Sequence, residues 1–164
     1  MKYLYLVRHA KSSWDHPGLE DFDRPLNKRG MCDAPKMGEY LVGQRILPQI
    51  IVSSPARRAH TTAISLAAAM QVPPSGIVKD DRIYAAATAT LIAVIQEWDD
   101  TWERVMMVGH NPGMADMAAV LTDAGVCHVP TCTVMGFSLD IVSWGDVVPN
   151  CGIQQFKIVP KDIL

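Results

Sequence analysis

Arg8 and His9 follow the apolar run Tyr3–Val7, Arg57 and Arg58 follow Ile50-Ile51-Val52 closely, and His110 follows Val105–Val108. Each of these groups stands just past a short run rich in strand formers. Arginines and histidines in this arrangement suit the holding and transfer of a tetrahedral dianion such as phosphate. A guanidinium fork binds two oxygens at once. An imidazole with a free lone pair is a nucleophile. Taken singly, each motif reads as a surface turn, a cap or a solvated helix face. Their shared place at strand ends points to one site, because open α/β sheets bind ligands beyond the carboxyl ends of their strands.

Two of the segments also read as helix starts. Ser54-Pro55 and Asn111-Pro112 each pair an N-cap residue with proline at the first helical position. A helix N-terminus offers unpaired N–H groups and favours anions. Arg58 then lies in the first turns of one helix, and His110 just ahead of the other. Lys11, Ser12 and Ser13 follow His9 directly and, with Asn111, are candidates for touching substrate.

The elements that must position these groups follow from periodicity. Tyr3–Val7, Gln49–Ser53 and Arg104–Gly109 are continuous apolar runs, the signature of a parallel sheet covered on both faces. Ala56, Ala59, Ala63, Leu66 and Met70 mark one helical face. Leu91, Ile95 and Trp98 mark another, with Thr88 as its N-cap. Asn27 caps a helix bearing Met31, Ala34, Met37 and Leu41, in which Pro35 is expected to kink the helix or split off its first turn. Thr133–Asp140 and Ile153–Val159 read as strands joined by the turn-rich stretch 143–152, and are expected to pair antiparallel. The expected fold is a single α/β domain over residues 1–164, a three-layer sandwich with a mostly parallel sheet, helices on both faces and a C-terminal antiparallel hairpin. The segment from Ser12 to Pro25 carries Trp, Pro, Gly and acidic residues, is long for a connector, and is expected to cover a site.

Composition narrows the function classes. The chain has 164 residues, one domain by size, and 15 basic against 17 acidic side chains give a net charge of −2, which argues against nucleic-acid binding. Cys32, Cys127, Cys132 and Cys151 form no C-x-x-C pair, so neither a zinc site nor a disulfide scaffold is expected. No metal or other cofactor is expected. The apolar N-terminal run is too short for a signal peptide, and no run approaches the roughly 20 apolar residues of a membrane span. A cytoplasmic monomer with no membrane partner is the expectation.

At the strand ends the sequence resembles a known family. Leu6-Val7-Arg8-His9-Ala10 resembles the Arg-His-Gly signature of the histidine phosphatase superfamily, which includes the phosphoglycerate mutases. Ser53-Ser54-Pro55-Ala56-Arg57-Arg58-Ala59-His60-Thr61-Thr62-Ala63 resembles its second block, Val108-Gly109-His110 its third, and Arg24-Pro25-Leu26-Asn27-x-x-Gly30 the element that opens its first helix. Ala10 replaces the usual glycine and Thr61 the usual glutamine. The Arg-His-Ala form and His110-Asn111-Pro112-Gly113 look most like the small phosphohistidine phosphatase branch.

The resemblance implies a covalent mechanism: His9 as nucleophile, with Arg8, Arg58 and His110 holding the phosphoryl oxygens. Guanidiniums near His9 are expected to lower its pKa and keep it neutral. The implied substrate is a phosphorylated protein, most of all phosphohistidine, or a small phosphorylated molecule. Two alternatives stand beside this. A small-molecule phosphomonoesterase would use Asp80 or Asp81 as its acid, although both also read as a solvated turn. A phosphate-binding module would have the pocket without turnover. His16 is placed at the site mouth at most, His60 on the surface, and His128 in a structural connector.

Overall fold

The chain is described by a computed structural model over residues 1–163. Six strands form one sheet in the order β3-β2-β4-β1-β5-β6. They are β1 (Lys2–Arg8), β2 (Ile50–Ser53), β3 (Ile77–Lys79), β4 (Arg104–Gly109), β5 (Val134–Leu139) and β6 (Gly152–Ile158). The first four run parallel, while β5 is antiparallel to both β1 and β6. The mostly parallel sheet and the C-terminal antiparallel pair match expectation. The three-residue edge strand β3 carries too little apolar pattern to be read from sequence.

The alternation of β1 explains why its run is apolar throughout. Leu4 and Leu6 face a core packed by α3 (Thr88–Gln96) and α4 (Gly113–Thr122). Tyr5 and Val7 face the opposite core, packed by α1 (Lys28–Gly43) and α2 (Arg57–Met70). Helices on both faces leave no solvated side to mark with polar residues. Among the described residues no helix is long and apolar enough to cross a membrane.

Helix starts depart from expectation in three of four cases. Asn27 caps α1 as predicted, its side chain accepting from Gly30 N at 2.9 Å. Ser54 does not cap α2, which begins at Arg57, because its hydroxyl is engaged elsewhere. Asn111 does not cap α4, since its amide donates to Val129 O; Pro112 holds the cap position. Thr88 is the first residue of α3, with Ala87 in the cap position. Pro35 does not split α1, which runs unbroken over residues 28–43. Met31, whose carbonyl Pro35 cannot serve, lies on the exposed face.

Sheet register levels the strand ends. Arg8 stands opposite Gly109, and Ser53 opposite Val108. His9, Ser54 and His110 are therefore the first residues beyond three neighbouring strands. Backbone bonds continue the sheet past this line, His9 N to Gly109 O at 3.0 Å and Ser54 N to Val108 O at 2.9 Å. Gly30 brings α1 against the segment after His9: a Cβ there would run into the Lys11 backbone.

Candidate active site

His9 is buried, and its Nδ1 lies 2.7 Å from Ala10 O. A carbonyl only accepts, so Nδ1 carries the proton and Nε2 the lone pair. Arg58 Nε donates to that Nε2 over a long 3.3 Å. Burial, more than the neighbouring His110, Arg58 and Arg8, pushes the His9 pKa down to about 3. The expected neutral ring is present, but desolvation is the main cause and the guanidiniums contribute less.

His110 packs on His9 with ring centroids 5.1 Å apart. Its Nε2 lies 2.8 Å from Ser54 Oγ, and Ser54 Oγ also accepts from Ala56 N at 3.3 Å. The serine hydroxyl has one proton and two lone pairs, so it can partner Nε2 in either tautomer of His110. The His110 Nδ1 is buried and without a partner. Burial first, then Arg58, lowers the His110 pKa to about 4. His110 is thus a neutral ring rather than a fixed cation. Arg8 donates through Nη1 to Val129 O at 2.9 Å, while its buried Nε has no partner. Around the His9 lone pair stand the Arg58 Nε–H at 3.3 Å and the packed His110 ring, a cationic and polar surround that suits an anion.

The backbone behind the cluster is tied by Thr62. Its hydroxyl accepts from Ala10 N at 3.0 Å and donates to Arg58 O at 2.7 Å. One side chain thereby joins the segment after β1 to the first turn of α2. Thr62 lies within the second matched block, yet no periodicity distinguishes it from a core threonine.

In front of the cluster is a cavity of about 480 Å³, lined by Arg58, His110, Asn111 and one carboxylate, Asp21, with apolar walls from Ile83, Leu91 and Met114. Asp21 sits in a short 3-10 turn (Asp21–Asp23) of the long loop. Its Oδ2 accepts from Tyr84 Oη at 2.7 Å and Arg58 Nη2 at 3.0 Å. Its Oδ1 accepts from Arg24 Nη1 at 3.1 Å, and its carbonyl from Arg58 Nη1 at 2.6 Å. The Tyr84 hydroxyl, followed by the Arg58 and Arg24 guanidiniums, holds the Asp21 pKa at about 2 against a weaker opposing pull from burial. The sequence reading marked the loop as a cover but missed Asp21 and Tyr84, because nothing local singles out one acid among several.

His9 touches both Arg58 and His110, Arg8 lies near enough to act on the charge of both histidines, and Arg58, His110 and Asn111 line the cavity, whose lining includes neither Arg8 nor His9. Lys11 and Ser12 do not line that cavity. The Ser12 hydroxyl is taken by Arg24 Nη2 at 2.6 Å, and the Lys11 carbonyl accepts from Asn27 N at the start of α1. Asp80 and Asp81 also lie outside the cavity lining. Asp80 caps the turn at Asp81–Ile83 and pairs with Arg82 at 2.8 Å, which removes it as an acid for the site. His16 lines a smaller adjoining cavity with Trp14 and Asp21. Among the described residues no cluster of three His, Cys, Asp or Glu side chains is placed to hold a metal ion.

Comparison with known proteins bears on the family and the fold. A sequence model of the Histidine phosphatase superfamily (branch 1) matches residues 4–84. An uncharacterized chloroplast protein of Arabidopsis thaliana is 32% identical over 94% of this chain and 74% of its own. A SixA-assigned structure from Agrobacterium tumefaciens superposes with a TM-score of 0.83 at 27% identity, covering 97% of this chain and 98% of that one. The protein histidine phosphatase SixA complexed with tungstate gives a TM-score of 0.86 at 19% identity, covering 99% of each chain.

Proposed function

The chain belongs to the histidine phosphatase superfamily, and from that membership we propose that it is a metal-independent phosphatase that works through a phosphohistidine on His9 and removes phosphate from protein phosphohistidine. One observation carries the reading: His9, with its Nδ1 on the Ala10 carbonyl, presents Nε2 to the Arg58 Nε–H at 3.3 Å with the His110 ring packed beside it. Likeness to SixA supports the phosphohistidine substrate.

The first step forms the bond from His9 Nε2 to phosphorus and breaks the bond to the leaving group, which takes the electron pair. Arg58 Nε–H gives up Nε2 and turns to a phosphoryl oxygen. The Ala10 carbonyl keeps the proton of the phosphorylated ring on Nδ1. In the second step, water attacks phosphorus, the P–N bond breaks, and its electron pair returns to Nε2. The proton lost by the water passes to phosphate or solvent. Arg8, Arg58 and His110 are the groups that meet the charge growing on the equatorial oxygens, where a donor is worth about 10²–10³ in rate. Fixed donors supply what a cation supplies in other phosphoryl-transfer sites.

Hydrolysis of a phosphoramidate in EDTA, with a phosphoryl label trapped on His9, is the expected result. Activity retained in His9→Ala removes the mechanism. Failure to label with any donor favours a binding module.

A further inference from the structure

A phosphatase without an acid to protonate the leaving group needs a leaving group that asks for none. Phosphohistidine offers one if its ring is already protonated at the nitrogen remote from phosphorus. When the P–N bond then breaks, its electron pair goes to the ring nitrogen and a neutral imidazole departs. The enzyme has only to favour the protonated ring while it is bound.

Asp21 is placed for that task. It is the one carboxylate among the residues lining the cavity. Three donors on its two oxygens hold it ionised, so it is unsuited to giving a proton. A carboxylate has about four lone-pair sites. Three are taken, and one remains on Oδ1. The side chain is 53% exposed, so that site is open to a ligand. Apolar walls from Ile83, Leu91 and Met114 suit a ring better than a charged chain.

We infer that Asp21 is the specificity residue of this site: a fixed anion that accepts the N–H of a cationic leaving group and turns away anionic ones. The inference rests on the phosphatase reading above and adds the charge of the preferred substrate. It gives Arg58 a second task, because the guanidinium that faces the phosphoryl group also orients the carboxylate that faces the leaving group. Mutase-like substrates, which carry a carboxylate near the phosphate, are disfavoured by the same charge.

The test separates charge selection from the phosphohistidine mechanism. Phosphoethanolamine has a cationic leaving group that carries N–H donors, and phosphoglycolate an anionic one. Their dissociation constants are measured by calorimetry in a His9→Ala background, with and without Asp21→Asn, so that neither compound is consumed. Phosphoethanolamine is expected to bind more tightly with Asp21 present, and Asp21→Asn to shrink the ratio of the two constants about tenfold, the size suited to a half-exposed charge a few ångströms away. An unchanged ratio, or equal shifts for both compounds, overturns the inference. Asp21→Ala repeats the comparison without an amide to stand in. Melting temperatures within a few degrees of the parent show that the loop change has not unfolded the chain. Separately, wild-type turnover of phosphoimidazole reports on the mechanism. Its absence sinks the phosphohistidine reading and leaves the binding ratio to judge Asp21.

Discussion

Ser54 and Thr62 hold the strand-end cluster from behind, through backbone that the sheet has already fixed; the Asp21 carboxylate is held from in front, by side chains. The two regions meet at Arg58. Behind it, register decides position. The first residues past β1, β2 and β4 lie side by side because the strands pair in parallel and end level. In front, the 12–25 segment is tied by Arg24 to Asp21, Ser12 and the Ser13 carbonyl, and by the Arg24 guanidinium 3.3 Å over the Trp14 ring. Arg24 is buried, but its partners Asp21 and Trp14 are exposed, so solvent screens those ties and they contribute about 0–1 kcal/mol each. The loop therefore opens at lower free energy than the sheet, so the cradle for phosphate is rigid while the wall that meets the leaving group is adjustable.

Arg58→Ala attacks both regions at once and has the largest expected effect. It removes a phosphoryl donor and two of the bonds that anchor Asp21. Steady-state kinetics should show kcat/KM lowered about 10²–10³-fold. Hydrogen exchange should show residues 19–24 exchanging at least about tenfold faster, with β1 and β4 unchanged. Equal acceleration in loop and strands would mean that the two regions are not separate.

Acid titration probes the buried side of the comparison. His9 and His110 have folded pKa values of about 3 and about 4, below the 6.5 of a free ring. As pH falls below about 6.5, the unfolded chain takes up protons that the folded chain refuses. The stability contributed by neutral rings is complete above that value and declines as pH drops toward 4 and then 3. Melting temperature should fall across this window, and less steeply in His9→Asn. Both rings stay neutral down to about pH 4, so they contribute no acid limb to kcat/KM between pH 5 and 7. A loss of activity near pH 6.5, after allowance for substrate ionisation, would place a charged imidazole in the working site.

Tyr84→Phe touches only the front. It deletes the hydroxyl on Asp21 Oδ2 and keeps the ring that packs on Phe22 and His110. The loss should cost at most about 1 kcal/mol of stability. Exchange in residues 19–24 should quicken a fewfold while the strands remain as they were. A large loss of global stability would show that the loop is part of the cooperative core.

The difference in what holds each region also decides what can be read from sequence. Backbone position is written in runs of apolar residues, so β1, β2 and β4 and the groups at their ends were legible: Arg8, His9, Arg58 and His110 converge as spacing and resemblance suggested. Side-chain bonds across the fold leave no such trace. Asp21 pairs with Tyr84 across 63 positions and with Arg58 across 37. Ser54 and Asn111 looked like caps because their types fit caps, yet both side chains bond to distant groups instead. Lys11 and Ser12 were chosen for nearness in sequence to His9, but neither lines the cavity; the Ser12 hydroxyl goes to Arg24 and the Lys11 carbonyl to Asn27 N. The pKa of His9 follows from burial among helices on both sides, which a count of neighbouring arginines cannot supply.

The smallest expected effect belongs to Asp80, the acid that sequence placed near the site. Its carboxylate accepts from Arg82 N at 3.0 Å and from Arg82 Nη2 at 2.8 Å, and the same guanidinium bonds Glu97. This ion pair belongs to the turn between β3 and α3, and neither of its residues lines the cavity. Asp80→Asn keeps the cap oxygen and loses only the charge, so kcat on a phosphate ester should change less than about twofold, against the 10²-fold or more expected of a general acid. A loss on that larger scale would bring the turn into the site and overturn the division between a buried cradle and a single front-facing carboxylate. Without such a loss, Asp21 stands as the one acidic side chain that the fold sets beside a bound leaving group.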